Sequence, residues 1–114
     1  MKAVFVELPA FDRHRAEYFS DEAFRILQGA LMKSPDAGDA IEGTGGLRKI
    51  RFADARRGKG TRGGLRVIYY WWQAELQFWL FTVYDKDERD DLSAQQRKSL
   101  KAMLKAEIKA RRKG

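Results

Sequence analysis

Basic side chains are concentrated in one stretch of the chain, residues 47–70. This stretch holds eight lysine and arginine residues against one acid, Asp54, and its formal charge of +7 equals the net charge of the whole chain. Guanidinium groups bind phosphate through two parallel hydrogen bonds, and lysines neutralise phosphate as point charges. The clustering therefore predicts a site for a polyanion such as RNA, with a solubilising surface as the alternative.

Cleavage of an RNA phosphodiester requires an activated 2′-hydroxyl, a stabilised phosphorane and a neutralised leaving oxygen. The chain contains one histidine, His14, so a mechanism with two histidines is excluded. The general base would then be Tyr84 or a lysine activated by its cationic neighbours. The basic residues that could contact phosphate lie in or beside predicted strands: Arg48, Lys49, Arg51, Lys59, Arg62, Arg66 and Lys86.

Metal and nucleotide cofactors are not expected. No cysteine occurs, so thiolate ligands and disulfides are excluded. The acidic run at 85–91 is interrupted by Lys86 and Arg89, which favours a solvated turn over a metal site. The glycine-rich segment 58–64 lacks the Walker A spacing and precedes a strand, which favours a basic loop over a phosphate-binding P-loop.

The elements that position these residues follow from apolar spacing and turn chemistry. A short apolar run predicts a first strand over residues 4–8, ended by Pro9, and glycines mark residues 36–46 as a loop. Ser20 predicts the start of a helix that ends before Pro35. The other predicted elements are a short helix over 11–18, strands over 47–53, 65–72 and 76–84, and a helix after the capping-box pattern at 93–96.

The last two predicted strands are expected to form a hairpin centred on Ala74. This register places Arg66 opposite Thr82, so that Arg66 and Tyr84 share one face as diagonal neighbours, roughly 7 to 8 Å apart. A shift of one residue would move Tyr84 to the other face, because side chains alternate along a strand. The four aromatic residues at 69–72 could stack RNA bases or belong to the core.

The length of 114 residues suits one domain spanning 1–114, and the hydrophobic content of 44% suffices for a packed core. A second basic cluster, residues 97–113, also carries +7, so the rest of the chain totals −7. Neither a signal peptide nor an apolar run near the ~18 residues of a membrane span occurs. We therefore expect a soluble cytoplasmic protein.

Three segments, taken in order, resemble the RelE/HigB family of toxins from bacterial toxin-antitoxin pairs. They are GGLRKIRF at 45–52, KGTRGGLRVIYY at 59–70 and FTVYDKDE at 81–88. The resemblance covers most of the chain and implies a small α+β domain of the RelE type. Such a domain is an antiparallel β-sheet packed against two N-terminal helices, with a C-terminal helix.

The same resemblance implies a ribosome-dependent endoribonuclease that cuts messenger RNA and inhibits translation. Its partners would be the ribosome, messenger RNA and a cognate antitoxin that neutralises it, without a membrane or a cofactor. The superfamily also contains ParE-type toxins, which act on DNA gyrase and are not nucleases. That activity, and a non-catalytic nucleic-acid-binding protein, are the alternatives.

The resemblance also assigns roles to individual residues. Arg66 matches the phosphate-stabilising arginine of the family, and Lys86 or Arg89 matches the basic residue after the last strand. Lys49 and Arg51 match basic positions on the second strand. RelE places its tyrosine base in a C-terminal segment, and the corresponding helix of this chain contains no tyrosine. Tyr84, or a lysine, would then take the place of that base. Arg48, Lys59 and Arg62 are expected to bind RNA.

Overall fold

The computed structural model describes residues 2–54, 58, 60, 64–87 and 91–112. Helices and strands occur in the order that the sequence predicts, with one short strand in addition. A 3₁₀ turn at Gln73–Glu75 joins the last two strands. The elements are β1 (Val4–Glu7), α1 (Pro9–Tyr18), α2 (Asp21–Lys33), β2 (Asp39–Ala40), β3 (Arg48–Phe52), β4 (Leu65–Trp72), β5 (Gln77–Asp85) and α3 (Ala94–Arg112).

The strands form one sheet in the order β1-β5-β4-β3-β2, with β4 at its centre. Strands β2 to β5 pair antiparallel, as expected, whereas β1 lies parallel to β5. A parallel pair needs a long connection, which α1, α2 and the intervening strands provide. The predicted α+β architecture is therefore confirmed, with one parallel pair at the edge of the sheet.

Local sequence signals account for the helix ends. The Ser20 hydroxyl accepts a hydrogen bond from the Ala23 amide at 3.1 Å, which caps α2. At α3 the Ser93 hydroxyl accepts from the Gln96 amide at 3.1 Å, and the Gln96 side chain accepts from the Ser93 amide at 2.8 Å. This reciprocal pair is the predicted capping box. Pro9 begins α1, where its missing amide costs no hydrogen bond.

Helices cover both faces of the sheet. Helices α1 and α2 pack on one face and bury residues such as Phe11 against Val67 in the first core. Helix α3 covers the opposite face, where Leu104 packs with Ile68 and Trp79 in the second core. Because successive residues of β4 face different cores, both of its faces are apolar. This explains the continuous run of aliphatic and aromatic residues in that strand.

Two residues of the predicted loop form a strand. In β2, Asp39 pairs with Lys49 and Ala40 pairs with Arg48. The prediction of a loop over 36–46 was therefore wrong at these two positions. The pairing uses backbone hydrogen bonds, which leave no apolar pattern in a strand of two exposed residues.

The turn between β4 and β5 is one residue longer than expected. The ladder ends with Trp72 opposite Gln77, so four residues lie between the strands. Leu76 adopts a left-handed conformation with a φ of 52°, and its amide donates to the Gln73 carbonyl at 3.2 Å. The centre of the turn consequently lies beyond Ala74, and the pairing shifts by one residue.

A β-bulge in β5 shifts the pairing by a second residue. Tyr69 lies opposite Leu80 but Ile68 lies opposite Thr82, which leaves Phe81 as the extra residue. Phe81 and Thr82 both line a groove between β5 and α3. In a regular strand two consecutive side chains would point to opposite faces, so this common orientation agrees with the bulge.

The two shifts correct the position of Arg66. It lies directly opposite Tyr84 and not opposite Thr82, as the sequence had predicted. Because the shifts add up to two residues, Arg66 and Tyr84 still share one face. The prediction of a common face is therefore confirmed, but the two residues are direct partners and not diagonal neighbours.

Gly64 should resist substitution, because the chain is too crowded there for a side chain. A Cβ atom would lie 2.7 Å from the Gly60 carbonyl oxygen and still closer to that of Phe52. We expect Gly64→Ala to lower the free energy of unfolding by about 1–3 kcal/mol, because backbone atoms must move. Urea denaturation measures this value.

Gly29 is the matched control, since a Cβ atom there meets nothing within 4 Å. It lies in the interior of α2 on its exposed side. Gly29→Ala should raise the free energy of unfolding by about 0.5–1 kcal/mol, because alanine loses less backbone entropy on folding. A similar effect of both substitutions would contradict the crowding at Gly64.

Tyr69 anchors the segment after α2 and is fully buried. Its hydroxyl donates to the Pro35 carbonyl at 2.7 Å and accepts from the Gly38 amide at 3.0 Å. Burial raises the pKa of Tyr69, an effect that the Gly38 amide partly offsets. The native state thus holds the neutral phenol more strongly than the unfolded chain does, and Tyr69 is a core residue and not a platform for bases.

Tyr69→Phe should lower the free energy of unfolding by about 1–3 kcal/mol at neutral pH, because the buried Gly38 amide and the half-buried Pro35 carbonyl lose a partner. The unfolded phenol ionises first, near pH 10. The stability from Tyr69 is therefore present below about pH 10 and is lost as the pH rises towards the folded pKa. Urea denaturation of both proteins against pH should show the difference narrowing in alkali. Tyr70→Phe is the control, and an equal effect there would contradict the assignment.

Candidate functional site

Three side chains form a row across the sheet on the face that α3 covers. Arg51 in β3 pairs with Arg66 in β4, and Arg66 pairs with Tyr84 in β5. Directly opposed residues point to the same face, with Cβ atoms about 4.5–5.5 Å apart. The row lies at the end of the sheet where β4 begins and β5 ends. We call these three residues the cross-strand row.

Arg66 is a buried cation at the centre of this row. It is 5% exposed, and one guanidinium nitrogen donates to the Leu65 carbonyl at 3.1 Å. Burial lowers the pKa of Arg66, Arg51 lowers it further, and Tyr84 opposes the shift. Like charges directly opposite each other destabilise a sheet. The two guanidinium groups therefore favour an anion bound between them.

Tyr84 belongs to the second core, as do Leu92 and Leu100, and it is 6% exposed. Its phenol lies on the same face as the Arg66 guanidinium. A neighbouring cation favours the phenolate form that a general base requires, whereas burial opposes it. The cross-strand row thus places a possible base directly beside a phosphate-binding group.

Lys86 follows the end of β5. Its amide donates to the Gly64 carbonyl at 3.1 Å, which holds it at the end of the sheet where β4 begins. Asp85, which precedes it, is buried and accepts a hydrogen bond from the Asp87 amide at 2.9 Å. Lys86 is half-buried and lies at the same end of the sheet as the cross-strand row.

Lys49 extends the basic face along β3. It lies opposite Ile68 and therefore faces α3. Its Nζ atom is 3.4 Å from a carboxylate oxygen of Asp91. The Leu92 amide, which donates to Asp91 at 2.7 Å, lowers the pKa of that carboxyl, and Lys49 and Arg97 lower it further. The Asp91 carboxylate is therefore held in a cationic environment.

The sequence did not indicate this contact of Asp91. The carboxylate meets a lysine 42 positions away in the chain, and the acidic run that contains it predicts only a solvated turn. No local pattern could have identified the pair, because it forms only when the start of α3 packs over β3.

Arg48 lies apart from the other basic residues of β3. It is paired with Tyr69 and therefore faces the first core side. One of its guanidinium nitrogens donates to the Gly38 carbonyl at 2.7 Å and approaches that of Asp36 at 3.4 Å. The structure brings Lys49 and Arg51 together with Arg66, but it places Arg48 on the opposite face, where it holds the segment after α2.

Three further predicted site residues, Lys59, Arg62 and Arg89, lie outside the described residues.

The structure brings the remaining aromatic candidates into ring contacts. Trp71 stacks on Phe78 with ring centroids 4.3 Å apart, and Trp72 meets the edge of Trp79 at 5.2 Å. These rings pack on the sheet, as the alternative of a core role predicts.

Neither a metal site nor a membrane span is found in the described part of the chain. Among these residues, no group of three histidine, cysteine or acidic side chains is placed to hold a metal ion. None of the described helices has the length and apolar character needed to cross a bilayer. His14 lies on the surface of α1, 3.4 Å from Glu17.

No protein-family model matches the chain. Among solved structures, it is similar to the E. coli toxin RelE, determined in the free state as a double arginine-to-alanine variant. The TM-score is 0.50 and the identity 14%, over 79% of this chain and 90% of that one. At this identity the likeness concerns the fold.

A second similar structure is the solution structure of a conserved hypothetical protein of Helicobacter pylori, HP0892. Here the TM-score is 0.55 and the identity 13%, over 76% of this chain and 98% of that one. The resemblance drawn from three short segments of sequence is therefore confirmed at the level of architecture. With its central sheet, two N-terminal helices and C-terminal helix, the chain has a RelE-like fold.

Proposed function

We propose that residues 1–114 form a single toxin domain that acts as a ribosome-dependent endoribonuclease on messenger RNA and is neutralised by a cognate antitoxin. The observation that carries this proposal is the cross-strand row, in which Arg51, Arg66 and Tyr84 lie side by side on one face. It combines an anion site with a possible base, and it occurs in a RelE-like fold. Action on translating ribosomes implies a cytoplasmic location.

The row suits attack by a 2′-hydroxyl on the adjacent phosphorus. Tyr84, as phenolate, accepts the hydroxyl proton, and the bond from phosphorus to the 5′-oxygen breaks. Arg66 stabilises the charge that develops on the phosphorane. The Lys86 ammonium donates a proton to the leaving 5′-oxygen, so that the products are a 2′,3′-cyclic phosphate and a 5′-hydroxyl. No step requires a metal ion, because cationic side chains supply the charge stabilisation.

The other basic residues would bind the RNA on either side of the cut. Lys49 and Arg51 lie on the same face as Arg66 and suit neighbouring phosphates. We include Lys59, Arg62 and Arg89 in this group from the sequence alone. Arg48 would contact RNA only from the opposite face of the sheet.

Burial of Arg66 and Tyr84, two of the three residues of the row, bears on the dependence on the ribosome. Arg66 is 5% exposed and Tyr84 is 6% exposed, beneath the core that Leu92 and α3 complete. For RNA to reach Tyr84, we propose that the segment around Leu92 moves away from the sheet. If the ribosome binds more tightly to the conformation in which Arg66 and Tyr84 are accessible, it shifts the equilibrium towards that conformation. Cleavage would then require the ribosome.

The first test compares the chain with its Arg66→Gln variant after induction in bacteria, with new 5′ ends mapped on translated messages. Loss of the guanidinium should reduce cleavage by about 10² to 10³, equivalent to about 2–4 kcal/mol of transition-state stabilisation. Glutamine keeps most of the side-chain volume, so the fold should survive. Arg25→Gln is the control, since Arg25 is exposed on α2, on the other side of the sheet.

Three other outcomes would contradict the proposal. Unchanged cleavage by a folded Arg66→Gln protein would remove Arg66 from the site. Growth arrest with DNA-damage signalling and without RNA cuts would support action on gyrase. Tight binding of duplex DNA without toxicity would support a non-catalytic binding protein.

The antitoxin should cover the basic face or displace α3, because an acidic or amphipathic segment complements either surface. Hydrogen exchange of the chain, free and co-expressed with the protein encoded beside it, distinguishes these modes. Protection of β3 and β4 would indicate coverage, and faster exchange in α3 would indicate displacement. A neutralised complex in which neither region changes would contradict the prediction.

A further inference from the structure

One side of α3 carries a ridge of cations. Apart from an adjacent pair at the start, they are spaced by three or four residues. This places them on one face of the helix, along about 22 Å from the first to the last. All are exposed except Arg97, which is half-buried. We call this set the α3 ridge: Arg97, Lys98, Lys101, Lys105, Lys109 and Arg112.

Helix stability does not explain the ridge. Cations near the end of a helix complement its dipole, but Arg97 and Lys98 lie near the start, where the dipole repels them. Lys101, Lys105 and Lys109 follow at intervals of four residues, and like charges at this spacing also repel each other. The arrangement is therefore unfavourable for the free protein, and an external anion would relieve it.

Among the described residues, internal carboxylates lie near the start of the ridge, where Arg97 lowers the pKa of the Asp91 carboxyl. None of the ion pairs found among the described residues involves a ridge residue. Glu107, the only acid of α3, lies off the ridge and pairs with Arg111 at 3.2 Å. The positive charge of the ridge therefore faces the solvent.

The start of the ridge adjoins the basic face of β3. A cleft of about 390 Å³ between α3 and the loop before β3 is lined by Arg97, Lys98 and Lys101. Asp91 connects the two regions, because its carboxylate lies 3.4 Å from Lys49 and precedes the ridge on the chain. A basic track thus runs from Lys49 to the ridge, with two carboxylates beside it: that of Asp91 at the junction and that of Glu42, which also lines the cleft.

We propose that the α3 ridge binds the phosphate backbone of RNA, on a track that continues from Lys49, and that the Asp91 carboxylate occupies a phosphate position at the junction. Uniform charge at regular spacing suits a polyphosphate, which requires no apolar anchor. A protein partner would require such an anchor. Met103, the exposed large apolar residue of α3, lies on the side of the helix away from the ridge. Ile108, which lines a cleft with Lys105, Lys109 and Arg112, is half-buried and belongs to the edge of the second core.

This inference rests on the proposed function for the identity of the RNA, but its test does not involve cleavage. The probe is a 2′-O-methylated RNA oligonucleotide, which lacks the attacking hydroxyl and cannot be cut. Binding to the full chain is measured by fluorescence anisotropy over a series of salt concentrations. If the chain shows no nuclease activity, the binding result still stands. If the ridge does not bind RNA, the cleavage result still stands.

The ridge variant is Lys101→Gln/Lys105→Gln/Lys109→Gln, with glutamine chosen because it favours helices. Each phosphate contact on a single strand contributes about 0.7 to the slope of log affinity against log salt. Loss of three contacts should therefore reduce that slope by about two. The melting temperature should not fall, because the substitution removes repulsion.

The matched control is Arg13→Gln/Arg25→Gln/Lys33→Gln. It removes the same charge from exposed positions on α1 and α2, on the other side of the sheet. The control should keep nearly the whole slope. Equal losses in both variants would show an effect of net charge and overturn the proposal, as would loss of antitoxin binding with RNA binding intact in the ridge variant.

Asp91→Asn tests the junction. Asparagine retains an oxygen that can accept from the Leu92 amide, so the local turn survives while the negative charge is lost. Affinity for the same RNA should rise several-fold, because Lys49 and Arg97 become available to a phosphate. The gain should disappear in the double variant with Lys49→Gln. Unchanged or weaker binding by a folded Asp91→Asn protein would place the track elsewhere.

Discussion

The burial of β4 on both faces is the constraint on which the arrangement of this protein depends. Val67 faces the core built by α1 and α2, and Ile68 faces the core built by α3. A strand enclosed in this way has little room for polar side chains, because a buried charge without a partner is costly. Arg66 is tolerated because it is the second residue of β4, near the end of the sheet. The site is thus confined to the place where β4 begins and β5 ends.

The bulge in β5 determines which residue accompanies Arg66. With the four-residue turn alone, the pairing would set Val83 opposite Arg66, and the phenol of Tyr84 would point to the first core. The extra residue, Phe81, restores the alternation so that Tyr84 points to the same face as Arg66. The proposed catalytic pairing of the Arg66 guanidinium with the Tyr84 phenol therefore depends on the bulge at Phe81 in β5.

On the α3 side of the sheet, basic side chains lie next to one another both on the strands and on the helix. The guanidinium groups of Arg51 and Arg66 oppose each other across strands, and the lysines of α3 repeat at one helical turn. Both arrangements place like charges next to each other, which suits the binding of a polyanion. The contact of Asp91 with Lys49 places an internal anion where the two surfaces meet. An RNA strand that crosses the sheet could thus continue along the helix.

The sequence by itself determined the elements, because their signals are local. Caps at Ser20 and Ser93, the apolar strand 65–72 and the basic segment beside it all act over a few residues, and they led to the correct architecture and to Arg66 and Tyr84 on one face. Which residues lie next to each other in the site was decided only by the tertiary structure. The direct pairing of Arg66 with Tyr84, the separation of Arg48 from Lys49 and the contact of Lys49 with Asp91 depend on register and on helix packing. These are set by backbone hydrogen bonds and by contacts between distant segments, which no short pattern of side chains encodes.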